Sequence, residues 1–422
     1  MPTIAMPFAG QSLTFDIDER NLIEVLAPAP AQTITDLDGA IANALTAPIN
    51  QKPLNTLVQP GHKVVIVSDD VTRLTPVDRM IPPLIDLLNK GGIPDHDIVC
   101  LIALGTHRYM SEEELITRVG ETVWRRIEVR NHCWREEENL VDLGISSQGT
   151  PLVVNKEVVE ADVVIGLGAI VPHHIAGFSG SSKIIQPGVS GPRTTAETHM
   201  LSCSGGDSLL GIADNPVRRD MDDMAARVGM QTIFNVVLDS HGAVAGVFYG
   251  EMKAAFTRGV ELATAIYGVN YHETPDIVIA NAYPCELDFW QSHKALYPAQ
   301  RMIKQDGTII VVTPAPEGIS PVHTELLDFA GWPSVQIKNG YYDGRLVNGV
   351  AAALATAWAL VREKAEVIMY SPGIPAADQE KLGFIHADSI ESALALAYKR
   401  QGDNARVSIL THAPDLLPIA AL

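Results

Sequence analysis

The sequence predicts an α/β fold of two α/β lobes with mostly parallel sheets and an active-site cleft between the lobes. Three observations predict it: short continuous β-branched runs, amphipathic helical stretches between them, and polar residues gathered where the runs end. Strands of a parallel sheet read as unbroken apolar runs because helices cover both faces. A chain of 422 residues is long enough for two or three such cores.

The first series of strands is KVVIVSDD at 63–70, DIVCLIALGTH at 97–107, ADVVIGLG at 161–168 and TIFNVVLD at 232–239. Between the first two, PVDRMIPPLIDLLNKGG begins on proline and ends on glycines, the punctuation of a crossover helix. After His107, SEEELITRVG opens a helix on a capping box of Ser111 and Glu114. A second series comprises PDIVIANAYP, GTIIVVTPA, AEVIMYSPG and RVSILTH, with the helix DSIESALALAYKRQG ahead of the last. The stretch TAIYGVNYHETP at 264–275 is expected to cross between lobes. The expected division is an N-terminal lobe over 1–268, a C-terminal lobe over 275–405, and a segment 406–422 packing back on the N-terminal lobe.

Composition narrows the function classes. With 46% hydrophobic and 19% charged residues, this is the make-up of an ordinary globular protein. A formal net charge of −19 argues against nucleic-acid or anionic-membrane partners, which need basic patches. The longest apolar run, VAAALATAWALV at 350–361, is too short to cross a bilayer, and MPTIAMPFAG lacks the basic-then-apolar order of a leader. A cytoplasmic enzyme is expected. Cys100, Cys133, Cys203 and Cys285 have no CxxC spacing, so they are expected as buried small hydrophobes. Composition sets no oligomeric state.

Ligands of open parallel sheets bind beyond the carboxyl ends of the strands. Four strands deliver polar groups there: Asp69 to Arg73, Gly105 to His107, the loop PHHIAGFSGSSK at 172–183, and ELDFWQSHK at 286–294. Arg73 offers a planar fork to a carboxylate or phosphate, though a solvated turn is equally ordinary. Gln291 and Lys294, three apart, share a helical face. Lys183 precedes the apolar IIQPG, which suggests a desolvated and hence nucleophilic amine; a surface lysine in a tight turn is the usual fate of such a segment. GFSGSSK fails the spacing of a phosphate loop, which disfavours a nucleotide kinase. His173 and His174 are expected to point opposite ways along an extended segment. His199, in AETHM, reads on its own as a lone helical histidine, and no HExxH occurs. His62, His96 and His386 read as surface or satisfied core residues.

As an ordered set, DDVTR at 69–73, LGTHRYMSEEE at 104–114, PHHIAGFSGSSK at 172–183, ETHM at 197–200 and DFWQSHK at 288–294 resemble the nickel-pincer-dependent lactate racemase (LarA) family of 2-hydroxy-acid racemases and epimerases. The resemblance implies that Lys183 carries a covalent pyridinium-3,5-bisthiocarboxylic acid mononucleotide and that His199 completes its nickel(II) coordination. It implies catalytic acid/base roles for His107 and His173, the histidine ten residues before the lysine. It places Asp70, Val71, Thr72 and Arg73 near cofactor and substrate, and Gln291 and Lys294 against the substrate; His174 receives no catalytic role. The implied partners are a small-molecule 2-hydroxy acid and the enzymes that make the cofactor. Removing the poorly acidic hydrogen at C2 as hydride avoids a carbanion beside a carboxylate, and two enantiomers need two bases. Soft sulfur donors with an imidazole suit nickel. Ser181 stands where the family pattern has a second glycine, and 316–345 matches no pocket pattern, so lactate, malate or a sugar acid all remain as substrates. The other reading is a two-lobed protein that binds the cofactor or a hydroxy acid without turnover.

Overall fold

The computed structural model describes residues 2–421. The chain divides into two compact units. The N-terminal unit holds Pro30–Leu201 and Gly211–Ile266; the C-terminal unit holds the described residues up to Ala29, Ser202–Leu210, and those from Tyr267 on.

In the N-terminal unit, strand Val64–Asp69 is buried at every position and pairs in parallel with Ile98–Ala103 on one side and Val163–Ala169 on the other. Glu128–Asn131 extends the first side, Met230–Leu238 the second, and Val244–Glu251 closes the second edge antiparallel. The crossover helix Val77–Lys90 buries Met80, Ile81, Leu84, Ile85 and Leu88, a single stripe at helical spacing. The capping box forms as expected: Ser111 Oγ accepts from Glu114 N–H at 3.2 Å, and Ser111 N–H donates to the Glu114 carboxylate at 2.8 Å. The chain runs from Val64–Asp69 out to Glu128–Asn131, then returns to the opposite side of its first strand as Val163–Ala169. Such a reversal opens a crevice at the carboxyl ends of the two strands that flank it. The motifs 69–73 and 172–183 leave the sheet there.

The C-terminal unit repeats this logic with a wholly parallel six-stranded sheet, ordered Ile385–Ala387, Ala365–Tyr370, Gly307–Val312, Ile277–Asn281, Val407–Leu410, Leu22–Leu26. The reversal lies between Ile277–Asn281 and Val407–Leu410, so the segment carrying Gln291 and Lys294 and the segment 411–415 leave the same point of the sheet. The apolar run 350–361 lies in the buried helix Gly349–Lys364. No helix among the described residues is long and apolar enough to cross a membrane.

The division of the chain differs from the expected boundaries in three places, one being Ser202–Leu210, which belongs with the C-terminal unit. Residues up to Ala29 belong with the C-terminal unit, because Leu22–Leu26 supplies the edge strand beside Val407–Leu410. The segment 406–422 stays in that unit too: Val407–Leu410 is buried throughout and needs neighbours on both edges, and Leu417–Ala420 pairs with Gly268–Tyr271. Cys100 and Cys203 are buried as expected, whereas Cys133 and Cys285 are only half-buried; all four are free thiols.

Candidate active site

The Asp70–Arg73 turn is shaped by a residue that carries no motif. Arg118, on helix Glu112–Val119, donates through Nε to the Asp69 carbonyl at 3.1 Å, and through Nη1 to the carbonyls of Arg73 and Thr75 at 2.9 and 3.0 Å. Its Nη2 pairs with the Asp69 carboxylate, which also accepts from Thr75 Oγ1 at 2.6 Å. One guanidinium thereby fixes the loop at both ends.

Within that loop, Asp70 is a partner of His107. Its Oδ1 accepts from the Thr72 N–H at 3.0 Å and the Thr72 hydroxyl at 2.5 Å, and its Oδ2 lies 2.8 Å from His107 Nδ1. Burial opposes ionisation, but the His107 hydrogen bond and charge, Thr72 and Arg73 together hold the Asp70 carboxyl well below the usual range. An ionised carboxylate only accepts, so His107 Nδ1 carries a proton, and in the neutral ring the lone pair is on Nε2. The His107 side chain is 46% exposed against 7% for Asp70: a base at the surface oriented by a buried acid. Its backbone is held as well, with His107 N–H on the Leu104 carbonyl at 2.9 Å and Trp134 Nε1 on the His107 carbonyl at 2.8 Å. Val71 is exposed and offers no polar side-chain group, and Arg73 is half-buried.

His173 and His174 depart from the expectation of opposite orientations. Pro172–His173 pairs with Gly177–Phe178 in a tight hairpin, and the two imidazoles stack at 4.9 Å and 12°. The turn that follows breaks the extended geometry on which alternation depends. His173 Nδ1 accepts from the Ile175 N–H at 3.2 Å, which puts the neutral ring's proton on Nε2. In their neutral forms the two rings are thus opposite tautomers, His107 presenting a lone pair at Nε2 and His173 an N–H there. Base action by His173 requires its Nδ1 to gain a proton and release Ile175.

Lys183, half-buried, lies in the turn Ser181–Ile184 at the end of the same loop. Ser181 has φ +52°, in the left-handed region, and its N–H is held by Asn235 Oδ1 at 2.9 Å. This explains the expected glycine: a residue without Cβ adopts that backbone at least cost. Ser181→Gly is therefore expected to leave folding stability within about 1 kcal/mol, checked by urea unfolding. Gly177→Ala should do the opposite. At φ +78° its new Cβ would stand 1.9 Å from the Ile212 carbonyl oxygen, and a loss of roughly 2 kcal/mol or more is expected in the same measurement.

His199 lies on helix Pro192–Ser202 with Nδ1 2.7 Å from the Thr195 carbonyl. Burial pushes its pKa down to about 4; the Thr195 carbonyl opposes this, and Lys183 and His107 add to it. The ring is neutral at pH 7, protonated on Nδ1, with its lone pair on Nε2. The charges of Lys183 and His107 thus both reach His199.

In the C-terminal unit, Asp288 caps helix Phe289–Ser292, accepting from the Gln291 N–H at 2.8 Å. Lys294 Nζ donates to Gln291 Oε1 at 2.6 Å, so the two do share a face. Burial pushes the Asp415 carboxyl up to about 6, with Lys294 opposing. Its folded pKa lies above the ordinary 3.8, so its contribution to stability is complete below that value and is lost as pH rises through about 6. Asp415→Asn, neutral throughout, is expected to exceed the parent in stability by on the order of 2–3 kcal/mol at pH 7.5 and to match it at pH 3.5, read from urea midpoints.

Arg118, Trp134, Asn235 and Asp415 were not apparent as site residues in the sequence. Asn235 alone left a signal, a single amide inside the apolar run TIFNVVLD.

The fold and these residues define a class: an α/β protein in which the lactate racemase N-terminal domain matches residues 8–209. Lactate racemase of Lactiplantibacillus plantarum is 27% identical over 420 residues, 97% of this chain and 98% of that protein. Lactate racemase of Thermoanaerobacterium thermosaccharolyticum is 29% identical over 326 residues, 75% of this chain and 76% of that protein. The solved lactate racemase apoprotein of the latter organism superposes with a TM-score of 0.87 at 26% identity, covering 99% of this chain and 100% of that one. A Thermotoga maritima protein shares the fold, with a TM-score of 0.70 at 20% identity over 91% of this chain and 98% of that one. The chain is thus similar over nearly its whole length to lactate racemases, and the family's N-terminal domain is matched within it.

Proposed function

We propose that the protein is an isomerase that inverts C2 of a 2-hydroxy acid, with lactate as the first substrate to test and malate or a sugar acid as larger ones. The observation that carries this reading is the buried Asp70 orienting His107 beyond the sheet, with the charges of His107 and Lys183 both felt by the buried His199.

The residues fit the nickel-pincer nucleotide. A neutral imidazole whose Nδ1–H is fixed on a carbonyl offers Nε2 to a metal in the orientation that ligating histidines adopt. His199 would offer its Nε2 to a nickel ion brought with the bound group. Lys183 would anchor that group. When bound, it supplies an electron-poor acceptor that takes and returns a hydride at C2.

The chain's own residues do the proton work. His107 Nε2 takes the hydroxyl proton of one enantiomer, with Asp70 stabilising the imidazolium, and His173 serves the other enantiomer. Arg73 offers its guanidinium to the carboxylate. Val71 and Thr72 complete the strand-end segment, Thr72 by spending its hydroxyl on Asp70. Cofactor-making enzymes are the required partners, and four free thiols fit a cytoplasmic location.

The test is a panel of single-enantiomer 2-hydroxy acids offered to protein co-expressed with the cofactor-making enzymes, read by chiral chromatography. Inversion of at least one acid is expected. Tight binding of an acid with no inversion of any would replace the enzyme by a binding protein.

A further inference from the structure

Beneath the loop that carries Lys183 lies a charge that no motif uses. Arg218, on helix Pro216–Arg227, is 3% exposed. Its Nη1 donates to the Gly180 carbonyl at 3.2 Å and to Ser182 Oγ at 3.0 Å; its Nη2 donates to the Ala176 carbonyl at 3.4 Å and to the Phe178 carbonyl. The four acceptors belong to alternate residues of one loop, whose oxygens turn to the same side. The Phe256 ring covers the guanidinium, 4.5 Å from its carbon to the ring centroid.

Burial pushes the Arg218 pKa down to about 10, with Asp222 opposing, so the group is still a cation at pH 7. Asp222 reaches it through Ser182, whose hydroxyl donates to Asp222 Oδ1 at 2.5 Å while accepting from Arg218. A buried charge is tolerated only while its hydrogen-bond partners stay in place. Opening the loop would strip all four oxygens from the cation at once, so the loop holds one conformation. Its next residue is Lys183, and the two residues that follow His173 lead into it.

We propose that Arg218 is a positioning residue for Lys183: by gathering the oxygens of Ala176, Phe178, Gly180 and Ser182 it fixes where the Lys183 amine stands and restricts access to it. The functional consequence rests on Lys183 being the cofactor anchor, whereas the positional claim does not. Lysine cannot replace Arg218 here, because one ammonium cannot span four acceptors laid out for a planar fork.

The test uses apoprotein, pulse-acetylated with sulfo-N-hydroxysuccinimide acetate and digested for mass spectrometry, with the Lys183 rate referred to exposed Lys90. Losing charge-assisted hydrogen bonds of this kind corresponds to about a tenfold change in local opening, so Arg218→Lys should label Lys183 about tenfold faster at an unchanged Lys90 rate. Ser182→Ala, which removes one acceptor and the bridge to Asp222, guards against an Arg218 variant that fails to fold and should label several-fold faster. In cofactor-loaded protein, Arg218→Lys should lower kcat with KM for the hydroxy acid unchanged, since the carboxylate-binding groups lie outside the loop. Parent-like Lys183 rates in both variants would overturn the proposal. An unmodified Lys183 in loaded parent protein would overturn its role as cofactor anchor while leaving the labelling result to stand.

Discussion

Lys183→Ala protein, co-expressed with the cofactor-making enzymes, is expected to carry no covalent adduct by intact mass and to show no inversion above background. The amine is the only group at the end of the 176–183 loop able to form a stable amide-type bond, and alanine has no substitute for it. The fold should survive. Lys183 is half-buried, and the loop's anchoring contacts are made by Arg218 and Asn235 to neighbouring residues. Circular dichroism and a thermal midpoint close to the parent's are the accompanying controls. An adduct of the same mass retained in Lys183→Ala would place the attachment elsewhere and remove the account of the loop.

The acid/base residues should show the next largest losses. His107→Gln and His173→Gln are each expected to lower kcat by ~10²–10⁴-fold while leaving the adduct intact, because each removes the proton carrier for one enantiomer and inversion must pass through both. Asp70→Asn tests orientation separately from proton transfer. An amide oxygen can still accept from His107 Nδ1–H, but without a full negative charge the imidazolium is less stabilised, and a loss of ~10²-fold or more is expected. Parent-like rates in both histidine variants would refute the two-base assignment.

The strands and the site motifs were legible because each is a contiguous string. An apolar strand followed by DDVTR or LGTH shows where a polar group leaves the core, and the capping box of Ser111 and Glu114 marks where the next helix begins. What escaped depends on contacts distant in sequence. Leu22–Leu26 joins a sheet whose neighbouring strand is Val407–Leu410, and nothing local in LIEVL identifies that partner. Arg118 and Arg218 act mostly on backbone carbonyls, which every residue has, so neither arginine leaves a spacing to read. The stacking of His173 on His174 depends on a hairpin closing within the loop, which alternation along an extended strand does not anticipate. Asp70 was expected near cofactor and substrate as one of a strand-end group; only its bond to His107 separates its role from those of Val71 and Arg73.

The central claim is inversion at C2 by hydride removal and return, with His107 and His173 moving only the hydroxyl proton. The most direct measurement offers cofactor-loaded protein one enantiomer of lactate deuterated at C2, in ordinary water, and follows the opposite enantiomer by chiral separation and mass spectrometry. The account predicts an inverted product that keeps its deuterium. Inverted product that has exchanged deuterium for solvent hydrogen, or loaded protein that inverts neither lactate nor any larger 2-hydroxy acid, would contradict it.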